Sequence, residues 1–240
     1  MLSSQIACVN HLYYLRQRKD LVTAVLKQID NEITEALTVD NGYVEFEFIG
    51  TKQYLKEKSW MRGTNCTSVD AVMIGENRVG KRIFFLIEWK YTEYYSSENK
   101  YIYERSKVYD ELITDGDSPF KELPKEVPVK AFYCEPFYQL MRQTLLGLKC
   151  IENNDHDCSD YINVHVIPKE NKKLLHNITS PCLKGNNITE AWKSTLKNPD
   201  KYLSITPRDF LNSCSKKNRQ PIFLIVYRKT LLVSNRYSTL

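Results

Sequence analysis

Long apolar runs are missing from this 240-residue chain. The longest, Ile83 to Ile87 and Ile222 to Tyr227, are strand-sized and fall well short of the ~18 consecutive apolar residues that a membrane-spanning helix requires. We therefore expect no membrane partner. No secretory leader is expected either, since Asn10, His11, Arg16 and Arg18 interrupt Met1 to Asp20 where a continuous apolar stretch would be needed. A cytoplasmic location is the corresponding expectation. Glycine is scarce, 8 residues beside 9 prolines, which excludes collagen-like and low-complexity compositions, and no Walker or Rossmann phosphate loop occurs. The seven cysteines, at 8, 66, 134, 150, 158, 182 and 214, include no Cys-x-x-Cys pair, so neither a disulfide framework nor a zinc ribbon is suggested. Cys150, His156, Cys158, His165, His176 and Cys182 are zinc-type ligands in kind, but not at a familiar zinc spacing.

With 42% apolar and 26% charged residues the chain is composed as an ordinary globular protein. At roughly 150 residues per domain, one large domain over residues 1–240 is expected, with its core at about 20–170 and an elaboration at about 171–240. Thirty-four basic against 29 acidic side chains give a net charge of +5, a lean toward polyanions that does not by itself identify one.

Val22, Val25, Ile29, Ile33 and Ala36 recur at three- and four-residue steps and predict a helix over 19–37, with Glu32 intruding on its apolar face. Asp40-Asn41-Gly42 reads as a turn, and Tyr43 to Phe48 alternates as a strand. Thr67 to Ile74 and Arg82 to Tyr91 are β-rich runs joined by a Gly- and Asn-containing turn, and both are apolar on both faces, as central strands are. Beyond them we expect a helix over Tyr101 to Ile113, a strand over Val127 to Tyr133, a helix from Glu135 ending at Gly147, and a strand over Asp160 to Ile167. Short helices near Thr189 to Lys197 and Pro207 to Ser213 and a strand over Pro221 to Tyr227 complete an α/β order.

Three ionisable residues stand out within the apolar runs: Asp70, Glu88 and Lys90. Glu88 and Lys90 are two apart and share a strand face, whereas Trp89 points to the other. A hairpin register in which paired numbers add to an even value near 156 brings Asp70 to the same face, opposite Leu86 and diagonal to Glu88. Buried charges are costly unless paired or used. Two carboxylates suit Mg²⁺, which takes hard oxygen ligands and completes its shell with water and phosphate oxygens, and a neighbouring lysine can stabilise charge on a phosphodiester under attack. The bland account is a functionless buried ion pair. Tyrosines 91, 94, 95, 101 and 103, interspersed with Lys90, Lys100 and Arg105, suit either base stacking or the half-buried rim of a sheet.

Helix, strand, Asp-bearing strand, Glu-x-Lys strand, helix, strand resembles the αβββαβ core of the PD-(D/E)XK restriction-endonuclease-like superfamily, a central mixed sheet flanked by helices. Cys66-Thr67-Ser68-Val69-Asp70-Ala71, Leu86-Ile87-Glu88-Trp89-Lys90-Tyr91-Thr92-Glu93 and Phe137-Tyr138-Gln139-Leu140-Met141-Arg142-Gln143 are similar to segments of bacterial restriction-endonuclease-like families. The resemblance spans about residues 20 to 170. One departure is Val69 in place of a proline before Asp70. The resemblance implies a Mg²⁺-dependent nuclease, with Mn²⁺ as a substitute, acting on nucleic acid and most naturally DNA. Asp70 and Glu88 would be metal ligands, Lys90 would stand next to the attacked phosphate, and Glu32 is the candidate for an assisting acid in the first core helix. Some exonuclease-like members carry Gln-x-x-x-Tyr on the helix after the catalytic strands; Gln139 matches the glutamine and implies a substrate-side role, while Gln143 stands in the tyrosine's place. Related enzymes often pair as homodimers to cut two strands. The alternative from another class is a binding module of the same fold without turnover.

Overall fold

Residues 3–122, 124 and 127–214 are described by the structure, a computed structural model. The two apolar runs form the expected hairpin, β3 (Val69–Asn77) and β4 (Arg82–Trp89), at the centre of a six-stranded mixed sheet. β1 (Ile33–Leu37) and β2 (Glu45–Phe48) both lie antiparallel along the outer edge of β3. On the other side β4, β5 (Asp160–Val166) and β6 (Tyr202–Ile205) run parallel. The helices are α1 (Ser4–Leu12), α2 (Lys19–Ile29), α3 (Tyr103–Thr114), α4 (Phe137–Glu152), α5 (Lys172–His176), α6 (Ile188–Thr195) and α7 (Pro207–Phe210). The parallel step from β4 to β5 is possible because α3 and α4 supply the long crossover such a pair needs.

Both sheet faces are covered, which is why the central strands read as nearly continuous apolar runs. Val72, Ile74, Phe84 and Leu86 pack against the α4 face, with Phe137, Met141, Leu145 and Trp192. Ala71, Met73, Phe85, Ile87 and Trp89 pack against Leu12, Val22, Val25, Leu26 and Phe210 on the opposite face. Trp89 thus points away from Glu88 and Lys90 as its position demands, stacked on His11 with ring centroids 4.8 Å apart.

Several sequence expectations need correction. The helix expected over 19–37 ends at Ile29. Asp30 turns the chain by accepting the Glu32 amide on Oδ1 at 2.9 Å, and Ile33 begins a strand paired with Asn77. A turn-forming Asp-Asn pair and the β-branched Ile33 and Thr34 outweigh a periodicity that a short strand imitates. The strand expected over Val127 to Tyr133 is a 3-10 turn over Val129–Tyr133, entered from Pro128 and burying Ala131, Phe132 and Tyr133. The helix expected to stop at Gly147 continues to Glu152. β6 carried no sequence expectation, and the strand expected over Pro221 to Tyr227 lies outside the described residues.

Gly147 has a packing role instead of a terminating one. A Cβ there would meet Tyr161 at 2.7 Å and Leu86 at 2.8 Å, so the missing side chain lets α4 lie directly on β4 and β5. Gly147→Ala should therefore destabilise the protein by about 1–3 kcal/mol in denaturant titration, although alanine is the better helix former by about 1 kcal/mol. A stabilised variant would mean that α4 has room to spare over the sheet.

Candidate active site

The β3–β4 register is even, as the shared face requires, but pairs Val72 with Leu86 and Ala71 with Ile87, so Asp70 stands across from Glu88 itself rather than from Leu86. Ala71↔Ile87 is the last pair of the ladder. Beyond it the strands part, and the Asp70 carboxylate takes the place of a backbone acceptor, with Oδ2 receiving the Trp89 amide at 2.8 Å. β4 meanwhile stays with β5, since the Lys90 amide donates to Val166 O at 2.8 Å. The two acids and the lysine meet where the sheet splits.

Glu88 and Lys90 are 5% and 3% exposed, and burial at that level demands that every charge be answered. Glu88 Oε1 accepts from Lys90 Nζ at 2.6 Å and from Gln139 Nε2 at 2.7 Å; Oε2 accepts from Gln143 Nε2 at 2.5 Å. Gln139 Oε1 in turn accepts from Lys90 Nζ at 2.7 Å. Gln139 and Gln143 are one turn apart on α4 and so present both amides to the same carboxylate. Gln143 also donates to Ser68 O at 3.1 Å, which ties α4 to the segment that leads into Asp70. The Lys90 ammonium lies 5.8 Å from the centroid of the Tyr95 ring.

Electrostatics follow from this enclosure. Burial and the Glu88 charge push the Asp70 carboxyl up to about 8, against the opposing pull of Lys90 and the Trp89 amide. Burial acts to lower the Lys90 pKa, but Glu88 more than reverses it and holds the ammonium above its ordinary range. His165, the partner of Glu88 on β5, is fully buried; desolvation and the Lys90 charge hold its pKa well below the usual value, with Nδ1 2.9 Å from the Tyr202 hydroxyl. Glu93 binds the Tyr91 amide at 2.6 Å and the Ser4 amide at 3.2 Å, and its charge reaches Asp70.

Asp70, Glu88, Lys90 and Gln139 are thus brought together. Glu32 is not. It sits in the exposed turn after α2, beside Arg78 at 3.5 Å. Arg78 follows the far end of β3, and eight residues at ~3.3 Å each separate it from Asp70, so the assisting-acid assignment of Glu32 fails with the helix that carried it. Gln143 and Glu93 had no assigned part in the sequence reading, His165 entered it only as a zinc-type ligand in kind, and Tyr95 only as one of the tyrosines suited to stacking or to the rim of the sheet. Gln143 left a signal as a polar residue four positions after Gln139. Tyr91, Tyr94, Tyr101 and Tyr103 are exposed on the segment leaving Lys90, and Trp60 and Met61 on the one entering Asp70. A cavity of about 600 Å³ lined by Lys121, Pro124, Leu183 and Thr195 shares no residue with this cluster.

The chain belongs to the family described as Restriction Endonuclease associating with ARP, which matches it over residues 1–228. No curated protein and no solved structure matches it. The family is one of restriction endonucleases by description, and the six-stranded mixed sheet flanked by helices agrees with a restriction-endonuclease-like core. No helix among the described residues is long and apolar enough to cross a membrane.

The metal-free protein offers a test of the electrostatics. Because Asp70 holds its proton to about pH 8 when folded and only to ~3.9 when unfolded, folding takes up a proton between these values. The stability contributed by this group is full below about pH 4 and is lost as pH rises toward 8. In EDTA, Asp70→Asn should therefore gain stability over the parent progressively from pH 5 to pH 8. An equal difference at every pH in urea titrations would show that Asp70 titrates as an ordinary carboxyl.

Proposed function

We propose that this family member is a metal-dependent nuclease that hydrolyses phosphodiester bonds in DNA, with Asp70 and Glu88 as metal ligands and Lys90 as the cation beside the phosphate. The observation that carries the reading is the meeting of Asp70, Glu88 and Lys90 on one face at the point where the β3–β4 ladder ends.

The donor set suits Mg²⁺, with Mn²⁺ as a substitute. Asp70 Oδ1 has no hydrogen-bond partner among the described residues, and Glu88 Oε2 accepts a single donor, so each acid retains a lone pair for a cation. No group of three His, Cys, Asp or Glu capable of holding a metal occurs among the described residues, which leaves the other positions to water and phosphate oxygens, as Mg²⁺ prefers. A bound Mg²⁺ supplies charge neutralisation at the scissile phosphate and lowers the pKa of a bound water.

The chain's own contribution is positional and electrostatic. Gln139 and Gln143 hold Glu88 in one orientation, and the Trp89 amide does the same for Asp70. Lys90, turned toward Glu88 and Gln139, offers its remaining proton to the phosphate oxygen or the attacking water. By the family's description, association with ARP belongs to the same proposal.

One feature favours the binding-module alternative: Lys90, Gln139 and Gln143 supply three donors to the two Glu88 oxygens, so the chain itself answers that buried charge. Incubation with plasmid, linear and single-stranded DNA with Mg²⁺, Mn²⁺ or EDTA separates the two. Metal-dependent cleavage is expected; binding that survives EDTA with no cleavage under either metal would establish the module.

Asp70→Asn and Glu88→Gln should each abolish metal-dependent cleavage in a folded protein, and retained activity in either would remove it from the metal site. Lys90→Ala should lower the cleavage rate by about 10²-fold or more while Mn²⁺ affinity in calorimetry is kept or increased, since a like charge has left the site. Loss of metal binding, or an unchanged rate, would reduce Lys90 to a structural counter-ion.

A further inference from the structure

Arg142 is a half-buried cation that the site described so far does not use. Its Nε is sealed from solvent without a hydrogen-bond partner, and among the described residues its guanidinium makes no hydrogen bond or ion pair. What it does touch is the Tyr138 ring, 4.7 Å from guanidinium carbon to centroid, with Arg105 from α3 at 5.4 Å from the same centroid. An arginine kept only for packing normally has a carboxylate to answer its charge. Glu57 and Glu135 act on Arg142 only from beyond ion-pair distance. Glu57 is already taken by the Thr67 amide at 2.8 Å, the Thr67 hydroxyl at 2.6 Å and the Tyr109 hydroxyl, and Glu135 Oε2 receives the Gln139 amide at 3.3 Å.

Its placement relates it to the nuclease site. Arg142 follows Gln139 by three residues on α4, a spacing that sets side chains ~5–6 Å apart at Cβ, and it directly precedes Gln143. It therefore flanks the two glutamines that hold Glu88. The planar guanidinium fork, preoriented on an aromatic face, matches two phosphate oxygens at once.

We infer that Arg142, stacked on Tyr138 and backed by Arg105, binds a backbone phosphate of the nucleic acid next to the one held at Asp70 and Glu88. This deepens the nuclease reading and rests on it. The tyrosine serves as a rigid shelf, and the unanswered charge is completed by the substrate.

The test uses the full chain carrying Asp70→Asn, which keeps DNA intact, and reads anisotropy of fluorescent double- and single-stranded oligonucleotides over a salt series. Adding Arg142→Gln should weaken binding about 10-fold, without regard to sequence, and make the salt dependence shallower by about one unit of slope. Arg142→Lys should restore most of the slope, which a purely structural role would not do. Should Arg142→Gln fail to fold by circular dichroism, Arg105→Gln makes the same comparison and should reduce the slope in the same direction. Unchanged affinity and slope overturn the inference, as does an Asp70→Asn protein that binds no nucleic acid. Inorganic phosphate that stabilises the protein through Arg142 while DNA binding ignores that residue also overturns it, in favour of a free-anion site. Arg142-dependent DNA binding by a parent protein that cleaves nothing with any metal keeps the phosphate contact and removes the nuclease reading.

Discussion

The buried Glu88 carboxylate is the constraint on which the rest of this arrangement depends. A carboxylate 5% exposed inside an apolar sheet is tolerated only when its charge is answered, and here the answers come from the next residue on its own strand face and from two successive turns of α4. That requirement fixes the rotation of α4 about its axis, because Gln139 and Gln143 must both face β4. It also fixes the depth, which Gly147 allows by leaving no Cβ between the helix and Tyr161. Packing and polar satisfaction point the same way along one helix.

The second device is the split between β3 and β4. A continuous ladder at this point would spend the Trp89 amide on backbone; a parted one gives it to Asp70. The acidic pair then sits at the carboxyl end of the parallel strands β4 and β5, the edge at which open α/β sheets place their ligands. The segments that enter Asp70 and leave Lys90 border the same edge. They carry the exposed Trp60, Met61, Tyr94 and Tyr103, large apolar side chains beside the acidic pair.

Legibility in the sequence followed the range of the forces involved. The β3–β4 hairpin was readable because strand period and turn residues are local, and so was the common face of Glu88 and Lys90. Gln139 was readable only through the family resemblance. Gln143 was visible as a departure from that pattern, yet its contact with Glu88 spans 55 positions and depends on where α4 lies. The stripe through Ile33 and Ala36 misled because five residues of strand can extend a helical spacing by chance, and Glu32 was drawn with it to the wrong end of the sheet.

By itself, the sequence determined the α/β class, the central hairpin, the identity of the three ionisable residues and the common strand face of Glu88 and Lys90, since alternation and burial cost act within a few residues. The tertiary structure alone decided which acid faces which, where the ladder ends, and which side chains answer Glu88. Those depend on the pairing of strands and on the seating of a helix about fifty residues away, and no local pattern encodes the orientation of α4 on the sheet.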